Sequence, residues 1–298
     1  MFGRLQMSIF SGLEKIVKTD CHLCNYTWFG LGGSADYVIT PQTIDELRTV
    51  VVRCKENALP YRIIGFGSNL LIGDEGFRGA VIKLEGSAFS NVEYSGEKVV
   101  AMAGASLSKL VLDCVRKGLG GLEALTGIPG SVGGAIKMNA GGTFGDIGTS
   151  VQSATLMDQD GNIFEKSKPE LVFDYRCVNI TARIILAATL NLTESDPEQM
   201  LRTTKEIWIY KKNSQPLNTR NAGCIFKNPR GVSAGALIDR AGLKGLRVGG
   251  ALVSEKHANF IVAEEGCTSR DVIELINTIR ARVKEEFDID LELELEIW

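Results

Sequence analysis

Residues 221–229, Asn-Ala-Gly-Cys-Ile-Phe-Lys-Asn-Pro, set a lone cysteine between a small-residue turn and a short apolar and basic run. Cys224 can be read there as a buried structural thiol, as a redox switch, or as an acid that gives up its proton during catalysis. Free cysteine is commonly buried and inert, so the stretch by itself favours the first reading. Residues 173–178, Phe-Asp-Tyr-Arg-Cys-Val, hold an isolated arginine. Arg176 is either an ion-paired surface group or a guanidinium fork that grips a carboxylate. Glu294 belongs to an acidic face near the C-terminus, and any one glutamate of such a face is more readily solvated than catalytic.

Glycine is the unusual total, at 33 of 298 residues. Against a usual share of ~7%, this density means that backbone comes close to something at many places. In residues 63–79, Gly65, Gly67, Ser68 and Asn69 come directly after a β-like run. They form either a plain turn or a nest of backbone N–H groups that binds an anion, with the Ser and Asn side chains as extra polar contacts. Residues 70–79 are apolar and glycine-punctuated rather than helical, so neither the dinucleotide fingerprint nor the P-loop is matched. The second island, 127–142, has six glycines in sixteen residues; Gly127, Ile128, Pro129 and Gly130 open it, Gly133 and Gly134 centre it, and Asn139, Ala140 and Gly141 lie near its end. A surface loop would be more polar, whereas backbone wrapped around a cofactor wants small side chains. Two such islands together point to a phosphate-bearing cofactor.

Composition narrows the partners. A net charge of −3 with no long basic tract gives no reason to expect nucleic acid or an anionic membrane surface. No run reaches the ~20 apolar residues that span a bilayer, and the N-terminus lacks an apolar core followed by a cleavage site, so a cytoplasmic protein is expected. Seven scattered cysteines fit reduced thiols better than a disulfide framework. Cys21 and Cys24 enclose His22, but there is no second pair and one further histidine, so incidental spacing is preferred to a metal site.

The elements that must position these residues are legible in part. Residues 43–57 open on the capping box Thr43-x-x-Glu46 and carry Leu47, Val50, Val51 and Cys54 on one face, which predicts a helix. Residues 106–118 predict another, stopped by Gly118. Strands are expected at 61–64, 80–84, 98–104, 151–157 and 183–192, the fourth closed by the turn Asp-Gln-Asp-Gly-Asn. Pro197 suits the first turn of a helix running to about Lys212. Beyond it come a loop at 213–224, a short helix at 233–241, strands near 248–253 and 259–263, and a helix over 269–287 with Val272, Ile276, Ile279, Val283 and Phe287 on one face. Strict alternation from Ile289 to Ile297, with Asp290, Glu292, Glu294 and Glu296 on the opposite side, predicts a final strand.

Taken in order, these stretches resemble the UDP-N-acetylenolpyruvoylglucosamine reductases. The likeness runs through residues 30–37, 65–79, 121–142, the Tyr175-Arg176 pair, 221–229, 233–262 and the closing alternation, most of 25–298. It implies an α+β fold: an FAD-binding domain of the vanillyl-alcohol-oxidase type, built from two α+β subdomains, and a C-terminal α/β substrate-binding domain. An N-terminal segment at 1–24, an FAD domain at 25–197 and a substrate domain at 198–298 are the expected divisions. No long insertion separates residues 241–245 from 254–260, which resembles the shorter type of these enzymes.

The resemblance implies that NADPH reduces bound FAD, held by the two glycine islands. Hydride then passes to the enolpyruvyl ether of a UDP-sugar, and a proton added to the α-carbon completes UDP-N-acetylmuramate. It also implies that Arg176 binds the substrate carboxylate, Glu294 helps to stabilise the charged intermediate and Cys224 is the proton donor, where the family has serine or cysteine. Such an acid must hold its proton until needed, which a thiol with pKa near ~8.5 does. Lys227 and Asn228 are expected at the substrate. Ser214 stands where many members carry lysine, so Lys211 or Lys212 is expected to supply that charge, Lys212 being preferred. Gly30 and Ser34 also depart from the commoner basic residue and proline. The rival readings are another FAD oxidase or dehydrogenase of this fold and a catalytically silent nucleotide-binding module.

Overall fold

The computed structural model describes residues 9–298, so residues 1–8 of the expected N-terminal segment lie outside it. The chain packs as two compact units. One runs to Cys21 and continues through Asp36–Phe66 and Arg78–Trp208; the other comprises His22–Ala35, Gly67–Phe77 and Ile209–Trp298.

The first unit is built on two sheets. Strands Val17–His22, Ser34–Ile39, Phe77–Lys83 and Tyr61–Ile64 lie side by side in that order. Tyr61–Ile64 runs parallel to Ala80–Lys83, and the chain between Ile39 and Tyr61 includes α1, Ile44–Glu56. Its N-terminus is held as the sequence predicts: the Thr43 hydroxyl accepts from the Glu46 N–H, and the Glu46 carboxylate closes the reciprocal bond. Leu47, Val50, Val51 and Cys54 are its buried face.

The second sheet is antiparallel, ordered Ile163–Ser167, Val151–Met157, Ile184–Asn191, Lys98–Met102, Val92–Ser95. Helix α2, Leu107–Lys117, starts at the Ser106 cap and stops where Gly118 turns left-handed at φ 68°. The sheets and helices share a core that includes Tyr37, Leu110, Ile136, Leu156 and Leu186.

The second glycine island, to which the sequence assigns no element, contains one. It is not wholly loop, because Val132–Lys137 forms α3, capped by the Ser131 hydroxyl on the Gly134 N–H. Glycine pairs disfavour helix, so this turn is imposed from outside: the Val132 and Gly133 N–H groups donate to the carbonyls of Ala105 and Ala103 at 2.9 and 2.8 Å. A Cβ on Gly133 would lie 2.8 Å from that of Ala103, which explains the glycine.

Helix α4, Pro197–Ser214, buries Met200, Thr204, Ile207 and Lys211 along one face. In the second unit, α5, Ala234–Arg240, and α6, Ser269–Phe287, accompany a three-stranded antiparallel sheet of Arg247–Val248, Ala251–Val253 and Ile261–Ala263. A capping box of Thr268 and Asp271 starts α6, and Val272, Leu275, Ile276, Ile279 and Val283 are buried along it. The expected final strand is corrected by the structure. Only Glu296–Ile297 is a regular strand, parallel to Leu70–Leu71, while the alternation of Leu291 and Leu295 inward still holds.

These contacts give a paired expectation in urea unfolding. Gly133→Ala loses about 1–3 kcal/mol because its methyl has nowhere to go. Gly142→Ala, where a Cβ meets nothing within 4 Å, changes stability by less than about 1 kcal/mol.

Candidate active site

Arg176 sits at the tip of a two-residue hairpin in the first unit. Phe173 pairs with Val178 and Asp174 with Cys177, leaving Tyr175 and Arg176 as the turn. Arg176 has φ 58°, a left-handed conformation that costs a non-glycine residue roughly 1–2 kcal/mol. Such strain persists only where neighbours over-determine the backbone. The Arg176 guanidinium donates from Nη1 to the Gly141 carbonyl at 2.7 Å, which ties the tip to the second island.

Asn139, with 4% of its surface exposed, reaches the same hairpin. Its Nδ2 donates to the Asp174 carbonyl at 3.0 Å, and its Oδ1 accepts from the Gly148 N–H at 3.1 Å. Gly65 meets the second island too, since a Cβ there would stand 2.5 Å from the Ser131 hydroxyl. Gly127 and Gly130, at φ 76° and 142°, turn the chain in ways open mainly to glycine.

Cys224 belongs to the second unit, in a segment held from two sides. Cys224 bridges to Phe260, and the Ile225 N–H donates to the Asn259 carbonyl at 2.8 Å. The Asn259 side chain then clamps the next residue, accepting from the Phe226 N–H at 2.9 Å and donating to its carbonyl at 2.8 Å. Opposite, the Lys227 N–H donates to the Glu292 carbonyl and the Glu294 N–H to the Ile225 carbonyl, both at 2.8 Å. The fold therefore brings Cys224 and Glu294 onto neighbouring paired backbones. Of the four acidic residues in the closing alternation, Glu294 is half-buried and the other three are exposed.

The remaining second-unit candidates divide. Asn69 donates from Nδ2 to the Glu294 carbonyl at 2.9 Å, so this residue of the first island contacts the Glu294 segment. Gly67 lies so close to Tyr26 that a Cβ would overlap its carbonyl. Lys227 pairs with Glu292 at 3.4 Å, and the exposed Asn228 accepts from the Ala234 N–H through Oδ1. Lys212 is exposed, and its carbonyl accepts from Lys256, whereas Lys211 is buried with 8% exposed.

Residues 215–298 match the model of the UDP-N-acetylenolpyruvoylglucosamine reductase C-terminal domain, and residues 35–167 match an FAD binding domain. The UDP-N-acetylenolpyruvoylglucosamine reductase of Clostridium botulinum strain Hall is 40% identical over 283 residues, covering 94% of this chain and 92% of that one. The chain belongs to the UDP-N-acetylenolpyruvoylglucosamine reductase family. The corresponding reductase of Alkaliphilus oremlandii is 40% identical over 299 residues, with 98% of each chain covered. The crystal structure of the Thermus caldophilus enzyme aligns with a TM-score of 0.81 at 41% identity, covering 93% of this chain and 97% of that one. The fold class is the expected α+β one, an FAD-binding domain of the vanillyl-alcohol-oxidase type with a C-terminal α/β domain.

The residues of the first unit suit FAD. Gly65 and Ser131 bring the first island against the second, and backbone amides and hydroxyls free of bulky side chains are the donor set an anionic pyrophosphate needs. The N–H groups of Val132, Gly133 and Gly134 are already engaged within the protein, which leaves the loops on either side of α3 for that contact.

Sequence reasoning missed Asn221 and Asn259. Asn221 is buried; its Nδ2 donates to the carbonyls of Pro216 and Thr219, each at 3.0 Å, and its Oδ1 accepts from Gly223. An Asn two residues before a Gly carries that turn signal. Nothing local marks Asn259. Among the described residues no three His, Cys, Asp or Glu side chains gather as a metal site.

His257 stacks edge-on against Phe260, ring centroids 4.8 Å apart, and its Nδ1 accepts from the Asn259 N–H. Burial, with the nearby Lys244 charge, holds its pKa below the ordinary histidine value. The unfolded chain therefore takes up a proton near pH ~6.5 while the folded one still resists, so this contribution is intact above that pH and is lost as pH falls. Urea midpoints at pH 7.5 and 5.5 are expected to fall less in His257→Gln than in the wild type; an equal fall would show that His257 does not couple folding to pH.

Proposed function

We propose that this protein reduces the enolpyruvyl ether of UDP-N-acetylenolpyruvoylglucosamine to the lactyl ether of UDP-N-acetylmuramate, with NADPH as reductant, in peptidoglycan precursor synthesis. Family membership across nearly the whole chain carries the reading. The hydride relay between NADPH and the enolpyruvyl methylene is chemistry that bound FAD supplies. The chain must then stabilise a carboxylate that gains charge and deliver one proton to the α-carbon.

Arg176 takes the first task. Its guanidinium, anchored to the Gly141 carbonyl and strained at the backbone, is fixed before substrate arrives, and a fixed cation costs no reorganisation as charge develops. Cys224 takes the second, holding its proton on Sγ until the α-carbon accepts it. Glu294 supports the same intermediate as a hydrogen-bonding carboxyl, since two bare anions repel. Lys227 and Asn228 contact the substrate. For the lysine position Lys212 is kept, its exposure leaving the ammonium able to meet a phosphate.

Functionally we divide the chain into an FAD domain at 25–197 and a substrate domain at 198–298. Matches at 35–167 and 215–298 support the division, although 22–35 and 67–77 pack with the C-terminal unit. We assign the reaction to the cytoplasm, a reading supported by seven cysteines that form no disulfide. Among the described residues no helix is long and apolar enough to cross a membrane.

The purified protein is expected to be yellow, to bleach with NADPH in the absence of air, and to recover its colour on adding the enolpyruvyl sugar. A colourless protein, or bleaching that the sugar leaves unreversed, would overturn the reading. Cys224→Ala is expected to slow recovery about 10²–10⁴-fold while NADPH reduction stays near wild type, and Cys224→Ser to keep substantial activity. Equal loss in both half-reactions would make Cys224 structural.

A further inference from the structure

We infer that Asn139 is a positioning residue for Arg176, holding the hairpin that carries the guanidinium rather than acting through its side chain on the cofactor. The inference rests on the assignment of Arg176 to the substrate carboxylate. The Asn139 amide is spent inside the protein, with Nδ2 on the Asp174 carbonyl and Oδ1 on the Gly148 N–H. Asp174 is the hairpin residue paired with Cys177, so the bond falls two residues before Arg176.

Two further contacts meet at the same place. Phe173, at the foot of the hairpin, lies so close over Gly148 that a Cβ there would come within 2.5 Å of its ring. Asn139 thus grips Gly148 from one side while Phe173 covers it from another. At the tip, Arg176 Nη1 donates to Gly141, two residues beyond Asn139 in sequence. The hairpin is therefore braced at base and tip by one short segment, 139–141. Asn139 itself has φ 41°, which asparagine tolerates better than most side chains, so its own backbone bends toward the hairpin at limited cost.

Bracing of this kind matters only when the substrate carboxylate is engaged. A group misplaced by about 1 Å loses roughly 10²-fold in rate, while a half-reaction that does not use Arg176 is unaffected.

Asn139→Gly tests this, because glycine accepts the left-handed backbone and removes both side-chain bonds. In the FAD-loaded full chain it is expected to slow reoxidation by the enolpyruvyl sugar about 10- to 10²-fold, and reduction by NADPH much less than that. In an Arg176→Ala background the same change is expected to add no more than about twofold. Hydrogen exchange, read with and without FAD, is expected to quicken in residues 173–178 and to stay unchanged in strands 151–157 and 184–191.

Losses that multiply in the double variant, equal slowing of both half-reactions, or unchanged exchange in 173–178 would each overturn the inference. So would an Arg176→Ala enzyme that reoxidises as fast as wild type, since nothing would then need positioning. A wild-type enzyme that the sugar fails to reoxidise sinks the proposed reaction instead, and the exchange measurement still decides whether Asn139 braces the hairpin.

Discussion

Backbone outside regular sheet and helix stays fixed only if its buried N–H and C=O groups find partners, and here side-chain amides supply them. The buried asparagines among the described residues are Asn139, Asn221 and Asn259. Each bonds backbone on a segment bearing a candidate catalytic residue: Asn139 on the Arg176 hairpin, Asn221 on the turn before Cys224, and Asn259 on Phe226 just after it. An amide carries a donor and an acceptor at fixed spacing, as a peptide group does, and can replace one missing strand residue. The bonded pair at Phe226, with both its N–H and its carbonyl taken by Asn259, shows that substitution directly. Leaving such groups unmade would cost about 1–3 kcal/mol each, so the loops are held firmly.

Glycine does complementary work by allowing close approach. Gly33 admits the Asp74 carbonyl, Gly76 admits that of Ser34, and Gly133 admits Ala103 in the turn after strand 98–102, each where a methyl would overlap. The high glycine total is thus spent mostly on protein touching protein. That refines what composition suggested: the islands are small-featured because protein packs closely on protein there. The short helix inside the second island has the same cause, its amides paired with the carbonyls of Ala103 and Ala105 before any ligand is considered.

What was legible in the sequence is what short-range chemistry decides. Helices α1, α2 and α6 announce themselves by caps and a 3.6-residue apolar stripe, and the buried residues of α1 are the four that the stripe names. The closing alternation was legible as burial but not as strand, because a strand also needs partners of matching length. Its partners are Cys224–Lys227 and Leu70–Leu71, each only a few residues long, so pairing comes in fragments. Helix α3 was illegible because two glycines argue for loop and the contacts that overrule them come from residues about thirty positions earlier. Asn139 and Asn259 were illegible as braces for a similar reason: their partners lie 35 and 33 positions away. Sequence resemblance pointed to Arg176, Cys224 and Glu294, but said nothing of what holds them.

Holding matters differently for the two roles proposed for Arg176 and Cys224. A cation that stabilises developing charge works by being in place beforehand, so strain at Arg176 can be borne as long as the hairpin is pinned at both ends. A proton donor must instead approach one carbon along one line, and freedom in its segment would spread the proton over unproductive directions. Cys224 stands next to Gly223, whose missing side chain leaves open space, and before Ile225 and Phe226, which are wholly buried. The segment is thus open on one flank and anchored on the other, where the Ile225 backbone pairs with Asn259 and Glu294. The inert thiol that composition favours has its counterparts in Cys54 and Cys114, where burial pushes the pKa up to about 12 and both sit in the core. The half-buried Cys224, set in a braced and partly open segment, differs from them, which is in keeping with the acid role proposed for it.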